Sequence, residues 1–213
     1  MMSRRARGSS LLALLLFPVA GCESRNLLGV LAADDYTQGT YTQMGHLPDQ
    51  AALAVAGSEG ISTFEETTGL RTARLVTAPV GDLSWSGGKL AALRTTVNRF
   101  ADVLLFDQLS MPPDSRVVPN QVQSFAVGLS PDASVLAIGE DLGHVARMLL
   151  SDGSELTPTL GPDARDPVHS VQISPDGVYI AGASSDMVRI WRSSDAALVT
   201  HLSGTNVPIA FCA

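Results

Sequence analysis

Lysine occurs once in this 213-residue chain, at Lys89, and cysteine twice, at Cys22 and Cys212. With 14 basic residues against 21 acidic ones and a formal charge of −7, the chain has no clustered Lys/Arg to grip a phosphate backbone, which excludes nucleic acid as a partner. The same shortage excludes a polybasic patch for anionic lipid headgroups. Two distant cysteines make neither a disulfide framework nor a CxxC pair. Also missing are a Gly-x-Ser-x-Gly elbow, an HExxH, a Walker loop and a dinucleotide fingerprint, so no cofactor is expected.

Histidine is scarce as well. His46, His144, His169 and His201 fall at unlike places in the repeats described below. A ring-shaped metal or catalytic site needs equivalent positions in successive units, so these histidines are read as surface or satisfied core residues and no metal is expected. Asp132, Asp152, Asp176 and Asp186 each sit in a separate tight turn, where aspartate caps local amides, and calcium would need several oxygens converging on one point.

What the chain has in abundance is patterned. It opens with Arg4, Arg5 and Arg7, continues with an apolar run from Leu11 to Ala20, and reaches Val19-Ala20-Gly21-Cys22. A basic start, a short apolar stretch and small residues at a cut describe a secretory signal. The run is about half of the ~20 residues that a transmembrane helix needs. The ending resembles the lipobox of bacterial lipoproteins. That resemblance implies cleavage after residue 21, lipid on the Cys22 sulfur, a lipidated tether over 22–38, and a membrane as partner. Each buried methylene contributes about 0.8 kcal/mol and two chains hold a protein stably. It also implies a cell-envelope address, with Glu23 rather than aspartate after the cysteine favouring the periplasmic face of the outer membrane over the inner membrane.

A repeat dominates the remainder. From Val168 to Gly204 four short apolar-alternating runs are separated by turn residues, the first turn being Ser174-Pro175-Asp176-Gly177. Pro175 presets φ for a type I turn, and Gly177 takes the left-handed position that closes the hairpin. Ser130 and Ser86 open the corresponding turns at successive spacings of 44 residues, and Pro48-Asp49-Gln50 marks an earlier copy. Four copies of four strands, each about 40–45 residues long, predict an all-β chain: a β-propeller of four-stranded antiparallel blades, with about four present. The expected blades are 39–76, 80–120, 122–161 and 168–204.

Ser174-Pro175-Asp176-Gly177, followed by Asp186 and Val188-Arg189-Ile190-Trp191, resembles a WD-repeat blade. Leu83-Ser84-Trp85-Ser86-Gly87-Gly88 is similar instead to the TolB-like repeat. None of the four copies opens with the Gly-His pair of many WD repeats, and Ala133 stands where glycine is expected, at a cost of about 1 kcal/mol. Residues 205–213 look like the first strand of an unfinished fifth blade. The chain is therefore read as a piece of a longer propeller, with pairing of 205–213 against Tyr36–Met44 as the alternative.

Inner strands face a propeller's channel, which places Asp82, Ser84, His169 and Gln172 near its lining. Trp85 and Trp191 are assigned to packing between blades. The function expected is a non-catalytic interaction platform for an envelope protein. The alternatives are a propeller-type enzyme (lactonase, lyase or quinoprotein dehydrogenase), which would need a converging cluster at the channel mouth, and a fragment of a larger protein.

Overall fold

The computed structural model describes residues 41–47, 52–95, 101–108, 114–118, 123–161 and 166–203. Within them the chain forms strands and no helix, arranged as four antiparallel sheets in sequence order. The first contains β1 (Tyr41–Leu47), β2 (Ala52–Gly57), β3 (Gly60–Glu65) and β4 (Arg71–Val76). The second contains β5 (Val80–Ser86), β6 (Lys89–Thr95), β7 (Ala101–Gln108) and β8 (Asp114–Val118). The third has β9 (Ser124–Leu129), β10 (Val135–Glu140) and β11 (Val145–Leu149), and the fourth β12 (Ser170–Ile173), β13 (Tyr179–Ala183), β14 (Met187–Arg192) and β15 (Leu198–Ser203).

Each sheet is a meander, every strand pairing with the next in sequence, so hairpin turns decide register. The sheets then pack face to face in series. Their first strands meet one another, β1 with β5, β5 with β9, and β9 with β12. Among the described residues no comparable packing joins β12 to β1.

Both faces of an interior sheet are buried, which explains why the strands read as nearly continuous apolar runs. In β2, Ala52, Ala54 and Ala56 face the second sheet and meet Leu83, Leu90, Leu104 and Phe106, while Leu53 and Val55 belong to a separate cluster with Phe64. Between the second and third sheets, Ala91, Leu93, Val103 and Leu105 pack against Val127, Leu129, Leu136 and Ile138. Between the third and fourth, Ala126, Ala137 and Val145 meet Val171, Ile173, Ile180 and Trp191. Trp191 is 2 % exposed, the inter-sheet use its position in the repeat predicts.

Close approach sets the last of these seams. A Cβ at Gly139 would lie 2.6 Å from the Val168 carbonyl oxygen and 3.0 Å from side-chain carbons of Val168 and Val171. Only a glycine in β10 lets the fourth sheet come this near.

The third sheet departs from the four-stranded expectation. Where a fourth strand is predicted, isolated bridges join Val145 to Leu160 and Met148 to Glu155. Pro158 lies between those bridges and has no amide hydrogen to donate, which interrupts a ladder there. The expected fifth strand at 205–213, the tether over 22–38 and the signal over 1–21 lie outside the described residues.

Candidate functional site

The polar residues that the sequence singles out stand on the first strands. Asp82 and Ser84 occupy alternate positions of β5, together with Ser86, so the three project to one side. That side meets β9. The Val127 amide donates to Asp82 Oδ2 at 2.8 Å, the Leu129 amide donates to Ser84 Oγ at 2.9 Å, and the Ser86 hydroxyl donates to the Pro131 carbonyl at 3.1 Å. All three bonds span 45 residues, one more than the repeat, and so join one copy to the next. Edge amides of β9 that its neighbour β10 leaves unused are thus capped by side chains of the preceding sheet. Burial pushes the Asp82 carboxyl up to about 6, against the opposing pull of the Val127 amide.

His169 and Gln172 belong to the other end of the series. Gln172 is a half-buried residue of β12, and His169 immediately precedes that strand, its amide donating to the Ala183 carbonyl at 2.8 Å. The exposed His169 ring meets Phe125 edge-on, centroids 5.3 Å apart and planes at 71°. The structure brings Asp82 and Ser84 together on the seam between sheets two and three and sets the His169 ring against the third sheet, while Gln172 alternates with Val171 and Ile173, the β12 residues that pack on that sheet, and so projects to the opposite face. Cys22, the predicted lipidation site, lies outside the described residues.

Three first turns form a second feature. The Ser130 hydroxyl donates to Asp132 Oδ1 at 2.6 Å and accepts from the Val135 amide at 2.9 Å, while the Ser134 amide donates to Asp132 Oδ1 at 3.0 Å. Ser174, Asp176, Val178 and Tyr179 repeat the arrangement one sheet on. Ala133 takes φ of 51°, the left-handed position the repeat assigns to it, and Gly177 takes 71°. The Ser130 hydroxyl and the Ser134 donors hold the Asp132 carboxyl down to about 2, and the Ser174 hydroxyl with the Val178 amide lowers Asp176 in the same direction. Consecutive turns touch: a Cβ on Gly87 would lie 2.9 Å from that of Ala133, and one on Gly177 would lie 3.7 Å from Pro131. The result is a continuous ridge of exposed Pro131, Asp132, Pro175 and Asp176.

Arg147 is the residue sequence reasoning passed over. It lies on β11 at 3 % exposure, donating through Nη1 to the Ser193 carbonyl at 2.7 Å and through Nη2 to the Pro158 carbonyl at 2.8 Å. Its Nε is buried with no hydrogen-bond partner. One fork therefore ties the strandless stretch after β11 to the turn between β14 and β15. The available signal was a lone charge inside the apolar run 145–150. Among the described residues no group of three or more His, Cys, Asp or Glu is placed to hold a metal ion.

In comparison with solved structures, the chain superposes on one titled "Crystal Structure of Mitotic Checkpoint Complex" with a TM-score of 0.64, at 14% identity, covering 78% of this chain and 52% of that one. The neighbour is a WD-repeat propeller. The fold is a β-propeller. No protein-family model matches. Among curated proteins, Autophagy-related protein 18 of Meyerozyma guilliermondii is 33% identical over 97 residues, 45% of this propeller and 17% of the relative. Its counterpart in Scheffersomyces stipitis is 27% identical over 109 residues, 50% of the propeller and 19% of the relative. The chain thus spans about half of the structural neighbour and under a fifth of those relatives.

These relatives correct the address. A cell-envelope location on the periplasmic face of an outer membrane is overturned, because both are yeast proteins and yeast has no such envelope. The physical reason for the misreading is that a basic start, ten apolar residues and a cysteine make a short pattern, and it means an address only to machinery that reads it. Membership among bacterial lipoproteins loses its support for the same reason, while the WD-repeat-like architecture keeps it.

Proposed function

We propose that this propeller is a non-catalytic platform for protein partners. The observation that carries the reading is the ridge, where turns of three successive sheets abut, two of them holding an aspartate ionised, while the second and third sheets behind are stitched together. A rigid, preorganised surface binds without first ordering itself. Asp82 and Ser84, the polar pair nearest to a reactive constellation, have their oxygens engaged by β9 amides. The names of the relatives and of the structural neighbour are not those of enzymes.

The test is photo-crosslinking in the native host from a benzoylphenylalanine introduced at Pro131, at Pro175, or at one exposed position far from the ridge, such as Leu70. A discrete protein adduct from a ridge position is expected. Absence of an adduct at every position would sink the reading.

Lipid on Cys22 is a separate proposal, carried by residues 4–22 alone and without the envelope address. An N-terminal peptide of the membrane-extracted protein that begins at Cys22 and carries acyl chains is expected. An unlipidated protein retaining residues 1–21 would refute it.

A further inference from the structure

The side chains by which β5 holds the main chain of β9 return on β12. Along the repeat, Asp82 and Ser84 correspond to Ala126 and Gly128 in β9 and to Ser170 and Gln172 in β12. β9 offers nothing long enough at those places to reach the next strand and closes by contact instead, a Cβ on Gly128 lying 3.1 Å from the Val171 carbonyl oxygen. β12 carries the polar pair again. Register sets Ser170 opposite Ala183 and Gln172 opposite Ala181, and these alanines opposite Val188 and Ile190, so the six share one face. It is turned away from the third sheet, because Val171, Ile173, Ile180 and Trp191 take that side. Ala181 and Ala183 are nonetheless 0% and 3% exposed. Among the described residues no sheet packs on that face, and neither Ser170 nor Gln172 makes a side-chain hydrogen bond.

We infer that this face receives residues 207–212 of the same chain as an extended strand, its Ile209 amide donating to Ser170 Oγ and its Phe211 amide to Gln172 Oε1. Spacing names the occupant first. β4 passes to β5 across residues 77–79, and an equal span after Ser203, where β15 ends, brings the chain to Val207. Register then names its atoms. Each β5 side chain reaches one residue beyond its own counterpart in the next copy, Asp82 to Val127 and Ser84 to Leu129. With Cys212 at the place of the turn serine, the same rule carries Ser170 to 209 and Gln172 to 211. Composition agrees. Ile209 and Phe211 fall where Val127 and Leu129 stand, residues that pack back on the preceding sheet, and Ala181, Ala183, Val188 and Ile190 supply the apolar floor. Pro208, which has no amide hydrogen, leaves both required donors in place. The site is separate from the ridge, and neither it nor the platform reading depends on the other.

The experiment is amide hydrogen exchange on the full chain, followed residue by residue by NMR. Ile209 and Phe211 are expected to exchange about a hundredfold or more slower than in an unstructured chain. Gln172→Ala is expected to speed Phe211 about tenfold, and Ser170→Ala to speed Ile209 by a similar factor, while the Ile180 amide of β13 stays as slow as before. Gln172→Glu keeps an acceptor oxygen and is expected to leave Phe211 slow. The Phe211 ring is expected to show Overhauser contacts to Ala181 or Ile190. Where an alanine variant also loses protection at Ile180, and so loosens the whole sheet, those ring contacts in the parent decide alone. Exchange of Ile209 and Phe211 at the unstructured rate in the parent would overturn the inference. So would protection indifferent to both alanine variants, or ring contacts to Met44, which would place the segment against Tyr36–Met44 instead.

Discussion

Replacing Arg147 by alanine is expected to destabilise the propeller by about 3 kcal/mol, read as a fall in the denaturant midpoint at unchanged slope. The guanidinium is held by two backbone carbonyls from different parts of the chain, Ser193 and Pro158. Truncation removes two hydrogen bonds from a charged donor, each worth about 1.5–3 kcal/mol, and opens a cavity beside the third sheet. A gain of the opposite sign exists, because a cation at 3 % exposure costs desolvation energy, which pushes its pKa down. The losses win because two bonds and the packing of the guanidinium stem go together. Arg147→Lys is expected to fall between, since an ammonium has no planar fork to reach both oxygens in fixed geometry. A loss below about 1 kcal/mol for alanine would show the fork to be dispensable.

Asp82→Asn is expected to do the reverse and raise stability at pH 7 by about 2 kcal/mol. The folded carboxyl titrates near 6 against an ordinary value of 3.8, with burial the main cause. A raised carboxyl favours the folded state in its protonated form. Its contribution is full below about pH 4 and is lost as pH climbs to about 6, so at neutral pH the seam carries a charge it would shed. Two pKa units correspond to about 2.7 kcal/mol, trimmed here because Asp82 is half-buried rather than sealed. Asparagine keeps an oxygen for the Val127 amide and carries no charge. The variant and its parent should therefore melt together at pH 4 and part between pH 4 and 6. A variant less stable than its parent at pH 7 would mean that the charge-assisted bond outweighs desolvation.

The architecture was legible because the repeat writes itself twice, in strand alternation and in turn chemistry. Ser130 and Ser174 open turns that share the same three hydrogen bonds, and even Ala133 stands in the left-handed conformation assigned to it. The strain there, about 1 kcal/mol, is offset by burial of the alanine methyl at 3 % exposure, worth about 0.8 kcal/mol. The missing fourth strand of the third sheet was less visible, since its apolar residues suit a strand and only Pro158 objects. The sequence marks Asp82 and Ser84 only as polar residues of an inner strand near the channel. What they touch could not be read, because their acceptors serve backbone amides, and every residue but proline carries the same one. Arg147 escaped for a related reason: its partners are main-chain carbonyls, which no side-chain pattern in the sequence announces.

That anonymity has an evolutionary side. The stitches from β5 into β9 recognise only main chain at 127, 129 and 131, whatever side chains those positions bear. A unit joined to its neighbour in this way can be duplicated, deleted or shuffled without a matching change next door, provided the recipient offers an extended strand and a surface of compatible bulk. Interchangeability of modules, with substitutions free to drift on one side of a joint, is what such a seam permits.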